Sequence, residues 1–177
     1  IVEKDYILIP YNSYEKVELL WEYLGLKNDY LSDWAKSTSE ILSKIINKND
    51  YVYCTSGDEI GTLEVGYLLS LKQKINFIIN LRDPIFKSII KGEVVSKSKS
   101  FLPHPSRMDL ITKIFSKAKY IITSSEEYCN ALKIDFPNFK EKFKNNYFGY
   151  HLSKSNKQKK IPINNINIVY AGNMGNL

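Results

Sequence analysis

The chain has 177 residues, enough for one domain, or for one domain with part of a neighbour. Hydrophobic residues make up 44% and charged residues 25%, an ordinary globular composition that excludes disorder over most of the length. The formal net charge of +6 suits an anionic partner (nucleic acid, nucleotide diphosphate or an acidic membrane face), and solvated Lys-rich loops account for it equally well.

In chain order, Tyr6-Ile-Leu-Ile9 reads as a short strand closed by Pro10. Val17, Leu20, Trp21 and Leu24 recur at helical spacing, with Gly25 as C-cap. A second helix is expected from about Asp33, with Trp34, Ile41, Leu42, Ile45 and Ile46 along one side. Tyr51-Val-Tyr-Cys54 is the next strand. Ser56-Gly57-Asp58-Glu59 has the form of a capping box, opening a helix with Ile60, Leu63, Tyr67 and Leu71 on its inner stripe.

The nearly unbroken apolar run Ile75 to Leu81 predicts a strand buried on both faces of a parallel sheet. Arg82-Asp83-Pro84 ends it. The basic stretch from Phe86 to Ser106 reads as a long loop with a helical turn at Ile89-Ile90, a length that points to function or mobility. Met108, Ile111, Phe115 and Ala118 mark another helix, followed by strand Tyr120-Ile-Ile-Thr123 and a second capping box, Ser124-Ser125-Glu126-Glu127. Two strand, cap and helix units in the same layout predict an α/β fold with a Rossmann-like parallel sheet flanked by helices. Phe143 to Tyr147 suits a short strand, Lys154 to Lys160 a linker, and Ile166 to Ala171 a fresh strand before Gly172-Asn173-Met174-Gly175. Cys54 and Cys129 lack metal-type spacing and read as reduced structural thiols. Neither a membrane-crossing run nor a signal-peptide start is expected.

Ligands of open parallel sheets collect at the carboxyl ends of the strands. That rule selects Thr55 to Glu59, Arg82 and Asp83, Ser124 to Glu127, and Gly172 to Gly175. From pattern alone Asp83 reads first as an ion-pair partner or turn-former before Pro84, and second as a base or polar orienter in a cleft. The capping residues serve as caps, and their helix N-termini offer amides to hydroxyls or phosphate. His104 and His151 read as loop histidines with a catalytic alternative. No Ser/His/Asp order, zinc spacing, P-loop or G-x-G-x-x-G is present, so a dinucleotide site has no support.

Taken together, Tyr51 to Ser56, Phe77-Ile-Ile-Asn-Leu-Arg-Asp-Pro84, Ala118 to Glu126, Phe148-Gly149-Tyr150 and Ile168-Val-Tyr-Ala-Gly-Asn-Met-Gly175 resemble the GT-B-fold, group-4-type glycosyltransferases. The resemblance implies a partial acceptor-side domain over 1–151, an interdomain linker over 152–165, and over 166–177 the first strand and glycine loop of a donor-side domain. It implies transfer from a nucleotide-sugar donor to a glycan or lipid-linked sugar acceptor, with no cofactor and no obligatory metal. Asp83 and Arg82 would be catalytic; Thr55, Ser56, His104, Ser124, Ser125 and Glu126 would line the acceptor side. Gly172, Asn173 and Gly175 would approach the donor diphosphate. The protein would be cytoplasmic, with peripheral membrane contact through the basic loop Lys87 to Arg107, and would not bind nucleic acid. His151 stands where the family commonly has Asp, and the chain is expected to start after the family's first strand and to be inactive without the rest of the donor side. The alternative is a flavodoxin-like small-ligand or phosphate-binding module without catalysis, which requires a sheet completed within these residues.

Overall fold

The computed structural model describes residues 9–10, 17, 20, 21, 24, 26, 29–57, 59–85, 87–90, 93–96, 105–147 and 168–171. Four α-helices are described from end to end: α1 (Ser32–Leu42), α2 (Gly61–Gln73), α3 (Pro105–Lys117) and α4 (Glu126–Asp135). The strands are β1 (Tyr51–Ser56), β2 (Asn76–Leu81), β3 (Lys87–Ile90), β4 (Glu93–Ser96), β5 (Tyr120–Thr123), β6 (Phe143–Asn145) and β7 (Ile168–Ala171). Five of them form one all-parallel sheet in the order β6-β5-β2-β1-β7. The fold is α/β, a Rossmann-like parallel sheet flanked by helices.

Register separates the two faces of this sheet. Val52, Cys54, Phe77, Ile79, Leu81, Ile121 and Phe143 share one face, and all are buried. Gly66 of α2 lies against Cys54 and Phe77, and Phe115 of α3 meets Phe143 edge-on at 5.7 Å, so both helices cover that face. Tyr128, Cys129 and Leu132 of α4 join the same core. The cause is topological: β1, β2, β5 and β6 step across the sheet in one direction, and crossovers of one hand carry every connecting helix to one side. On the other face Tyr53, Ile78, Asn80 and Ile122 are half-buried and Tyr120 is 41% exposed. The run Ile75 to Leu81 therefore alternates in burial along β2, where the sequence predicted burial on both faces.

Several local expectations change for identifiable reasons. On α1 the buried residues are Ser32, Ala35, Thr38, Ser39 and Leu42, while Ile41 and Ile45 are exposed; small side chains face α2 and let the two helices approach closely. The first capping box does not form. Ser56 donates its hydroxyl to the Glu59 carbonyl, and α2 begins only at Gly61, with Ile60 as N-cap. The second box does not form as expected either: Ser125, not Ser124, is the cap and accepts from the Tyr128 amide at 3.1 Å, while Ser124 donates to the Arg82 carbonyl.

Within the basic stretch read as a loop, β3 and β4 pair antiparallel, with Ile90 opposite Glu93. Lys91-Gly92 is a two-residue hairpin signal between β-branched runs, and Ile89-Ile90 belongs to a strand, not to a helical turn. Residues 168–171, expected to open a second domain, pair with β1 in the same sheet; the amides and carbonyls at that edge of β1 take a short apolar strand. The linker 152–165 lies outside the described residues, as do Tyr6 to Leu8 of the first expected strand; Ile9 is in no strand. Val17, Leu20 and Trp21 are helical and exposed. No described helix is long and apolar enough to cross a membrane.

Gly66 packs where a side chain has no room: a Cβ there would stand 2.5 Å from Cys54 Sγ and 2.7 Å from Phe77 Cδ2. Gly66→Ala is expected to destabilise the fold by about 1–3 kcal/mol in urea unfolding, the range for overpacking. Both cysteines are free and buried, and burial pushes the Cys54 thiol up to about 12. Burial keeps reagents from both thiols, so a thiol reagent near neutral pH should leave both cysteines unlabelled in the native protein and modify both after denaturation.

Candidate functional site

The carboxyl ends of β1, β2 and β5 bring Gly57, Arg82-Asp83 and Ser124 side by side. The Arg82 amide donates to the Ser56 carbonyl at 3.0 Å, continuing the β1–β2 ladder one residue past the strands. Ser124 Oγ donates to the Arg82 carbonyl at 3.0 Å, and the Ile85 amide donates to Tyr128 Oη, also at 3.0 Å. The Arg-Asp-Pro turn is thus held from β1, from the β5–α4 junction and from within α4. Its side chains remain free to act, because Arg82 and Asp83 are both exposed.

Gly57 faces this turn. A Cβ on it would lie 3.2 Å from Asp83 Oδ2 and 3.5 Å from Glu59 Oε2. Two carboxylates therefore border the space that the glycine leaves open. Ionised carboxylates are acceptors only, so such a corner suits donors, including the hydroxyls of a polyol.

The other residues expected at the site divide clearly. Ser124 and Ser125 are half-buried at the rim, and the exposed Glu126 accepts from Tyr147 Oη at 3.3 Å. Thr55 and Ser56 are not brought to the surface. Ser56 is spent on the Glu59 carbonyl, while the Thr55 hydroxyl is buried without a hydrogen-bond partner. Strand alternation explains the expectation: both stand at a strand end, where pattern alone does not register the cover above them. His104, Gly172, Asn173 and Gly175 lie outside the described residues, as does His151. Among the described residues no group of His, Cys, Asp and Glu could hold a metal ion.

Beside the site stands Asp29, which the sequence pattern did not single out. Its side chain is fully buried. Oδ1 accepts the Leu31 amide at 2.9 Å, Oδ2 accepts the Ile60 amide at 2.9 Å, and the Arg107 guanidinium lies 3.6 Å from Oδ2. One carboxylate thereby serves the N-terminal ends of α1 and α2 and pairs with α3, replacing the cap that Ser56 does not provide. The visible trace in the sequence is Asp29 three residues ahead of Ser32, where α1 begins. Its second role, 31 residues along the chain at Ile60, leaves no periodic signal.

A search of family models, of curated proteins and of solved structures finds no match to this chain. The reading of the site therefore rests on its own geometry. Replacing Asp29 by Ala removes the shared cap and the buried ion pair together. A loss of about 3–5 kcal/mol in urea unfolding is expected, whereas a loss below 1 kcal/mol would show that water takes over its role.

Proposed function

We propose that this domain is the acceptor-side half of a glycosyltransferase that moves a sugar from a nucleotide-sugar donor to a polysaccharide or glycolipid acceptor. The observation that carries this reading is the Arg82-Asp83 turn, exposed in its side chains and held at its backbone by β1, Ser124 and Tyr128. Transfer chemistry rewards fixed geometry above all. A held turn saves the entropy of placing an acceptor hydroxyl against the anomeric carbon.

In this scheme Asp83 accepts a hydrogen bond from the acceptor hydroxyl and draws on its proton as the new bond to the anomeric carbon forms. The bond from that carbon to the diphosphate oxygen breaks, and the Arg82 guanidinium stabilises the charge that develops there. Backbone amides at Gly172, Asn173 and Gly175 would receive the diphosphate from the donor side, and Glu126 and Ser124 would bound the acceptor. The basic stretch Lys87 to Arg107 would rest on an anionic membrane surface at the cytoplasmic face, close to lipid-linked acceptors.

One observation favours the second reading, a self-contained small-ligand module: among the described residues β7 joins β1 in the same five-stranded sheet. Its strand order nevertheless differs from that of flavodoxin-like folds. Renumbered along the chain the parallel strands run 5-1-2-3-4, against 2-1-3-4-5 for that class.

The test is transfer from labelled nucleotide sugars by the full-length protein, with nucleotide-sugar affinity measured by calorimetry alongside. Asp83→Ala should lower transfer on the order of 10²-fold or more, the usual share of a positioned acid–base group. Its melting temperature should stay unchanged, because the side chain is exposed. Full activity in this variant overturns Asp83 as the acting group; a full-length protein that binds no nucleotide sugar overturns the transferase reading in favour of the binding module.

A further inference from the structure

Beneath the β1–α2 loop lies a second buried carboxylate with a very different set of partners. Glu64 sits in the first turn of α2 and is 7% exposed, and its Oε2 makes no hydrogen bond. Across the α1–α2 contact stands Ser32, equally buried, with its hydroxyl beside the Glu64 carboxyl. Asp29, nearby, has the Leu31 and Ile60 amides and Arg107 to answer its charge. Glu64 has no such set.

The groups around Glu64 can be named by element. From α1 come Ser32, Asp33 and Lys36, and from the segment before it Asp29. Against the inner side of α2 the sheet presents Cys54 and Phe77 at Gly66, and α3 contributes Arg107, engaged with Asp29. Burial pushes the Glu64 carboxyl above its ordinary value; the Ser32 hydroxyl and Lys36 work the other way, while the Asp29 and Asp33 carboxylates add to the rise. A hydroxyl rotates, so Ser32 can donate to the carboxylate or accept from the acid.

We propose that Glu64 is a proton-operated latch between α1 and α2: uptake of one solvent proton at its carboxylate removes a buried charge that no backbone amide or adjacent guanidinium answers and tightens the corner from which Asp29 holds the start of α2. Because the Glu64 amide donates to the Ile60 carbonyl and the Ile60 amide donates to Asp29, the latch and the loop at the strand ends are parts of one turn. The proposal does not depend on the transferase reading.

The sign follows from linkage. A carboxyl whose folded value lies above its unfolded value binds the proton more tightly when folded. Its contribution is full below the unfolded value and is lost as pH rises through the folded one. The experiment compares wild type with Glu64→Gln in thermal unfolding and α1 amide exchange between about pH 4 and 8. Wild-type α1 protection should fall as pH rises. Glu64→Gln, neutral at every pH, should lose that slope and melt a few degrees higher at neutral pH, about the response of a domain to a small gain in stability. A carboxyl-carbon NMR titration of wild-type Glu64 reads the group directly and does not require the variant to fold. A midpoint above 4.5, the ordinary value, supports the latch. A midpoint at or below that value, or a Glu64→Gln profile parallel to wild type, overturns it.

Discussion

At the corner where α1, α2 and α3 converge, the carboxylate of Asp29 is fully buried, and the chain itself answers its charge. Two backbone amides and one guanidinium take the places that water would hold. A buried charge is tolerable only when it is paired and hydrogen-bonded, so each partner is constrained by the others. Ile60 must start α2 where it does, α1 must begin at Leu31 and Ser32, and α3 must bring Arg107 within reach. Gly61 follows from the same constraint: a Cβ there would collide with Leu31 Cβ and crowd Asp29 Oδ1 at 3.2 Å. The glycine lets the two helix ends share one carboxylate. Other helix ends in the protein have separate solutions, as where Lys142 donates to the Phe115 and Ser116 carbonyls at the end of α3.

This frame leads directly to the site. The β1–α2 loop leaves Ser56, passes Gly57 and Glu59, and is fixed at Ile60. The Arg82-Asp83 turn is fixed by a separate set of bonds from β1, Ser124 and Tyr128. Two independently held loops then meet over a residue with no side chain. The first is held by the buried Asp29 carboxylate and the second by Ser124 and the buried Tyr128, the arrangement expected where reacting groups are to be placed with little freedom. Exposed side chains on a fixed backbone give the proposed transfer chemistry its plausibility.

Much of the fold was legible because it is written in short-range pattern. Tyr120 to Thr123 is the strand that its pattern predicts, and a serine does cap the helix after it, one residue later than the expected box places it. The site was half legible: Arg82-Asp83 follows an apolar run abruptly, and that abruptness is visible. What escaped depends on distance along the chain. Ser56 and Ser125 occur in nearly the same local sequence, yet only the second caps, because Asp29 already occupies the first helix end. The hairpin of β3 and β4 was masked by its lysines, which dominate the composition of that stretch although β-branched residues decide its backbone. Ile41 and Ile45 fit a helical stripe, but close packing against α2 selects the small-residue side of α1 instead.

The one-directional order of β1, β2, β5 and β6 also bears on how the chain finds its fold. Each of these strands pairs with the next one in the sheet's own sequence, so every closure spans only an intervening connection and its helix. Assembly can proceed by adding one unit to a growing edge. β7 is the exception, since Ile168 pairs with Tyr51 across everything from β2 to β6. The entropy of closing that long loop falls on a strand of four residues. The part of the sheet carrying Arg82, Asp83 and Ser124 is therefore built from short closures, and the β7 edge carries the entropy of the long one.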